Sequence, residues 1–254
     1  MGKTNKQVNQ DPKYNSVSNT ELHNQNNNTI NTSIGPALLV SKNKRLNIIH
    51  GPDNRSRVST THYPNTLVCL LKIKDHLGKK YTGTGFIISD RCIITAGHCV
   101  FFKGNWVSSI EIIPGADGTL KPFGKFISKT FRTVGGWMNH DDPNFDYGAI
   151  ILEEGQNFNF RDYIKYGLIS QRNQVHLLGY PSDKIDTQWL SDGYIVNETN
   201  LKLFYDADTV AGNSGSPVFI NNQVIGVHSF GGNPNCCIKF NPVILSVFDK
   251  WTLL

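Results

Sequence analysis

No apolar run in this 254-residue chain approaches the roughly 18 residues that a membrane-spanning helix needs, so no membrane span is expected. Lysine and arginine outnumber the acidic residues 25 to 20, for a net charge of +5, but they form no basic block with interleaved aromatics. That scatter argues against nucleic acid as a partner. The five cysteines, Cys69, Cys92, Cys99, Cys236 and Cys237, are odd in number and lack the two CxxC pairs of a zinc site. They cannot all pair within one chain. The opening MGKTNKQVNQDPKYN lacks the apolar stretch of an export signal, so export is not supported by these residues.

What is present begins with a polar segment, 1–47, rich in Asn, Ser, Thr and Lys, with one apolar cluster at 34–40. Such a segment buries too little surface to offset its ordering entropy, which predicts a disordered tail or a loosely docked propeptide. Folded structure is expected from near Ile48. Beyond it, β-like runs bounded by Gly, Asn, Asp and Pro appear at 66–74, 85–89, 92–95 and 149–152, then at 175–178, 193–196, 201–205, 217–220 and 223–228. Many short strands predict an all-β barrel or sandwich. The stretch 157–166 lacks alternation and reads as the connection between two strand groups, about 60–156 and about 167–240. Ile244, Phe248 and Trp251 recur at helical spacing after Pro242, predicting a closing helix over about 243–253.

Three motifs carry chemistry. In Gly212-Asn213-Ser214-Gly215-Ser216-Pro217 a serine sits among glycines before an apolar strand, and the amides of Gly212 and Ser214 can converge as an oxyanion hole beside the Ser214 hydroxyl. In Ile93-Ile94-Thr95-Ala96-Gly97-His98-Cys99 a buried-looking strand runs into a histidine, whose neutral imidazole can take the serine proton. In Phe145-Asp146-Tyr147-Gly148 an aspartate precedes an apolar strand, where its carboxylate can fix the imidazole tautomer. Asp141 and Asp142 compete with Asp146 but lie in a loop-like stretch. The order His, Asp, Ser differs from that of subtilisins and α/β-hydrolases and agrees with the chymotrypsin arrangement.

TAGHC, DYGAI and GNSGSPVF together resemble the catalytic motifs of the glutamyl endopeptidase branch of the chymotrypsin-like serine proteases, in the trypsin-like peptidase superfamily, from about Ile48 to the C-terminus. The resemblance implies two six-stranded antiparallel β-barrels with a C-terminal helix, and a secreted serine endopeptidase made as a zymogen. His98, Asp146 and Ser214 would be its triad. It makes His228 and Thr209 the recognisers of an acidic side chain before the scissile bond, Glu better than Asp. Ser229 and Gly231 would pair with the substrate backbone, with the Ser229 hydroxyl also reaching Asp146. Leu46-Asn47-Ile48-Ile49-His50-Gly51-Pro52-Asp53-Asn54-Arg55 resembles a processing junction, so that cleavage at Asn47-Ile48 frees the Ile48 ammonium for the substrate carboxylate.

The disulfide that Cys99 often makes in this fold looks absent, since Tyr81-Thr82-Gly83-Thr84-Gly85 contains no cysteine. Partners are expected to be protein or peptide substrates of a monomer, with no cofactor and no metal; the oxygen-rich residues His140, Asp141, Asp142 and Asp146 read as solvated charge rather than a calcium site. The alternatives are a chymotrypsin-fold protease of broad or narrow non-acidic specificity, and an inactive protease-like binding module.

Overall fold

Runs broken by Gly, Asn and Pro fold as antiparallel ladders in the computed structural model, which describes residues 11–20, 49, 51–170 and 174–254. The strands are β1 (Ser16–Ser18), β2 (Ser56–Arg57), β3 (Val68–Lys74), β4 (Lys80–Ile87), β5 (Cys92–Thr95), β6 (Phe101–Phe102), β7 (Asn105–Trp106), β8 (Ser109–Pro114), β9 (Phe126–Ser128), β10 (Thr130–Val134) and β11 (Gly148–Ile151). They continue as β12 (Gln174–Gly179), β13 (Trp189–Glu198), β14 (Lys202–Tyr205), β15 (Pro217–Ile220), β16 (Gln223–Phe230) and β17 (Asn235–Lys239), with helices α1 (Gly97–Val100), α2 (Gly135–His140) and α3 (Pro242–Thr252).

The first sheet runs β1-β10-β11-β5-β4-β3-β8-β9. Only Lys129 separates β9 from β10, so the two are one bent strand that pairs with β8 at one end and β11 at the other and closes a six-stranded barrel. The second sheet runs β12-β15-β16-β17-β14-β13-β2, and pairing of β12 with β13 closes its six-stranded barrel. The protein is thus all-β with two barrels of the chymotrypsin type. Alternating side chains fill them: Leu71, Phe86, Ile94, Ile112, Phe131 and Ile150 are buried in the first, Val175, Leu203, Val218 and Ile225 in the second. Each such burial stabilises by about 1.5–3 kcal/mol relative to exposure. Asn241 caps α3, its side chain accepting from the amides of Val243 and Ile244. The helix lays Ile244, Val247, Phe248 and Trp251 against the core.

Folded structure begins earlier than expected. Within the segment read as a disordered tail or loosely docked propeptide, β1 adds to the edge of β10, pairing Ser16 with Val134 and Ser18 with Arg132. Tyr14 packs edge-on against Phe145 at 4.9 Å, Asn19 accepts from the Phe131 amide at 2.9 Å, and the Trp251 indole donates to Ser16 Oγ at 2.8 Å. Composition misses this because the attachment is mostly backbone and polar, made to an edge that exists only once the barrel is built. Ile48 and the proposed junction lie outside the described residues.

Candidate active site

Strand register alone brings the first two residues together. Gly148 pairs with Thr95, so the chain entering β11 and the chain leaving β5 lie at the same barrel end. Asp146 sits just before β11, at the end of a 3₁₀ turn over Pro143–Phe145, and His98 lies in α1 just after β5. The Asp146 carboxylate is buried and grips His98 twice: Oδ1 accepts from the His98 backbone amide at 2.8 Å and Oδ2 pairs with ring Nδ1 at 2.8 Å. A proton on Nδ1 directed at Asp146 leaves Nε2 with its lone pair free. Burial acts to lower the His98 pKa, but the Asp146 carboxylate, followed by the Cys99 thiol, outweighs it and holds the pKa well above the ordinary value. Trp137 of α2 packs beside the imidazole at 6.4 Å and anchors its own indole N–H on the Phe101 carbonyl at 2.9 Å.

Ser214 comes from the second barrel, on the turn before β15. First-barrel Thr84 holds that turn: its amide donates to the Ser214 carbonyl at 2.8 Å and its hydroxyl to the Gly212 carbonyl at 2.8 Å. Cys99, next to His98, also directs its thiol at the Ser214 carbonyl, at 3.8 Å. With both carbonyls turned into the first barrel, the Gly212 and Ser214 amides have no hydrogen-bond partner among the described residues. Glycine is required twice here. Gly212 (φ +98°) lies where a Cβ would stand 2.3 Å from the Tyr180 carbonyl, and Gly215 (φ +87°) where it would stand 2.1 Å from the Thr84 carbonyl.

β16 lies directly behind this turn. The Gly215 amide donates to the His228 carbonyl at 2.7 Å and the His228 amide to the Ser216 carbonyl at 2.8 Å. The His228 side chain is buried and its Nδ1 meets the Tyr205 hydroxyl at 2.6 Å. Burial, and then the charge of nearby His98, lowers the His228 pKa to about 3, while burial pushes the Tyr205 phenol well up. The Tyr205 hydroxyl has no other acceptor among the described residues, so its proton is directed at Nδ1, which leaves the proton of the neutral imidazole on Nε2. Thr209 is buried with its hydroxyl unpartnered, and so is Ser229, whose Oγ makes no hydrogen bond to Asp146 among the described residues. All five cysteines are free; an added Cβ at Gly83 would stand 3.1 Å from Cys99 Sγ, so a glycine occupies the position from which a partner thiol would reach Cys99.

A family model described as Trypsin matches residues 58–251. The chain belongs to the trypsin family. An extracellular metalloprotease of Bacillus subtilis (strain 168) is 35% identical to it over 198 residues, 73% of this chain and 63% of that protein. A glutamyl endopeptidase of Bacillus licheniformis is 35% identical over 175 residues, 66% of this chain and 54% of the relative. This trypsin-family chain thus spans between half and two thirds of the length of these two proteins. A solved structure of a Glu endopeptidase in complex with MPD shares the fold, with a TM-score of 0.73 at 23% identity over 80% of this chain and 99% of the other.

Motif reading passed over three supports of this trypsin-family site. Tyr205 and Trp137 are two of them, and each meets its partner only through tertiary packing. The third is Arg55, which is buried and bonds Asp53 Oδ1 at 2.9 Å and Asp183 Oδ2 at 2.6 Å. It clamps the strap 51–57 to the loop 180–184, whose Ser182 amide donates to the Ala211 carbonyl at 2.7 Å, just before Gly212. Asp53 and Arg55 both stood in the junction stretch quoted from the sequence, but nothing in their spacing to Asp183 announces that one guanidinium joins the two carboxylates.

Proposed function

We propose that this chain is a serine endopeptidase that cleaves after Glu, and less well after Asp. The observation that carries the reaction is the double grip of Asp146 on His98 beside a serine turn with two outward amides. In this reading His98 Nε2 takes the Ser214 proton as Oγ attacks the substrate carbonyl. The Gly212 and Ser214 amides receive the developing oxyanion, and Asp146 stabilises the imidazolium. His98 then returns the proton to the leaving amine, and water, activated by the same imidazole, hydrolyses the acyl-enzyme.

Acidic specificity is supported by His228. With Nδ1 occupied by Tyr205, its Nε2–H is a fixed donor, and the unpartnered Thr209 hydroxyl is a second one for a carboxylate that must leave water. Ile48 supplies the missing positive charge in this proposal. The Asn54 amide lies 3.5 Å from Asp208 Oδ2, next to Thr209, so the strap passes the pocket. Six further residues back to Ile48, at roughly 3.3–3.6 Å each, give ample reach. Processing at Asn47-Ile48 outside the cell completes the proposal, consistent with the extracellular description of the Bacillus subtilis relative.

The test is a panel of peptides differing only at the residue before the scissile bond, run beside Ser214→Ala, with N-terminal sequencing of the active species. Cleavage after Glu, lost in the variant, and a new terminus at Ile48 are expected. Equal turnover after Phe or Lys would remove the acidic specificity, and full activity of the uncut chain would remove the role of Ile48.

A further inference from the structure

A second groove adjoins the site, of about 720 Å³, with Ser182 and Gly212 at one end and Lys72, Lys74, Lys80 and Thr82 along its wall. Its place relative to the attacked bond follows from the turn. In the endopeptidase reading the acyl half of a substrate lies along β16 toward His228 and Thr209. Past Gly212 in the other direction the groove is walled by residues of β3 and β4, which leaves it for the residues after the scissile bond.

The lysines share one sheet face by register. Lys74 stands opposite Lys80 on β4 and Ser109 on β8, and Lys72 opposite Thr82 and Glu111. Like charges directly opposite each other weaken a ladder, so the Lys74–Lys80 pair is unfavourable for the sheet itself. The nearby carboxylates are already engaged. Glu111 pairs with Lys121 at 3.7 Å and Lys125 at 3.2 Å, and Asp186 pairs with Lys72. Asp75 accepts from the amides of Leu77 and Lys79 in the connecting turn. Lys74 and Lys80 are exposed and have no acidic partner among the described residues.

Resting on the endopeptidase reading, we propose that this groove binds acidic residues on the leaving side of the scissile bond, so that the preferred substrate is an acidic peptide segment rather than a single Glu. The test uses peptides with one Glu before the scissile bond and Glu, Gln or Lys at the second and third positions after it. A Glu p-nitroanilide, which offers the groove nothing, is the reference to which each rate is normalised. Acidic peptides are expected to exceed neutral ones in kcat/KM by about 3- to 10-fold at low salt, the gap shrinking in about 0.5 M salt. In a Lys74→Gln/Lys80→Gln double variant the acidic-to-neutral ratio should fall to about one. A ratio of one in the unaltered protein, or an acidic preference that survives in the double variant, overturns the proposal. The chain cut at Asn47-Ile48 is used throughout, and if it cleaves neither peptide nor anilide, the endopeptidase reading falls and this proposal with it.

Discussion

The two barrels treat their buried serine and threonine hydroxyls in opposite ways. In the first, Thr84, Thr95, Ser128 and Thr133 each donate to a carbonyl, at 2.8, 2.7, 2.6 and 2.9 Å. In the second, Ser191, Thr209, Ser216 and Ser229 are buried without a partner among the described residues. An unpaired buried hydroxyl costs about 1–3 kcal/mol, whereas a paired one contributes about 1. Among the described residues the first barrel thus behaves as a finished interior, broken at Trp106 and Tyr147, whose polar atoms are also unpartnered. In the second, Asn213, Ser216 and Ser229 neighbour Ser214 or His228 in the chain, and Thr209 belongs to the proposed pocket, so most of its unpaired groups lie where a ligand is proposed to bind.

Asp146→Asn offers the largest test, because Asp146 is the first-barrel group whose pairing serves the site. Its loss should lower kcat by about 10⁴-fold with the fold intact. The proposed reaction needs neutral His98, so kcat/KM is expected to rise as pH passes upward through the raised His98 pKa. With the Asp146 charge gone, burial is opposed only by Cys99, and the limb should move to lower pH, readable in a kcat/KM profile. A limb that stays in place would mean that the carboxylate does not set the His98 pKa.

Tyr205→Phe is the next in size. It frees His228 Nδ1, so the ring no longer holds its proton on the pocket side, and Glu-over-Gln discrimination at the residue before the scissile bond should fall about tenfold, mainly through KM. Unchanged discrimination would make the Tyr205 bond a structural one only. Smallest is Thr133→Val, which removes a paired first-barrel hydroxyl and strands the Tyr147 carbonyl. Denaturant unfolding should register a loss of about 1–2 kcal/mol with substrate preference unaltered. A change of preference instead would break the division between the barrels.

The fold was legible where strands are continuous apolar runs: β5 and β15 match the ranges read from the sequence, and α3 follows its helical spacing. β8 and β10 were passed over because Glu111 and Arg132 interrupt them on the exposed face. β17 escaped because both Cys236 and Cys237 are buried beside a bulge, which abolishes alternation. His98, Asp146 and Ser214 stood out because each lies at a strand end next to small residues. Tyr205, Trp137 and Arg55 did not, since their partners lie 23, 36 and 128 residues away and only the closed barrels bring them near.

The strand β1 has a consequence for how the molecule is assembled. Its anchors are made late: Phe131 follows Asn19 by 112 residues, and Trp251 follows Ser16 by 235. During synthesis β1 therefore waits unpaired until β10 has emerged, and the Trp251 anchor reaches it only with the closing helix. A cut at the 47–48 junction would later remove the covalent tether of β1, the cover on the edge of β10. From then on, only noncovalent contacts would keep an open row of backbone donors and acceptors from pairing with a neighbouring molecule.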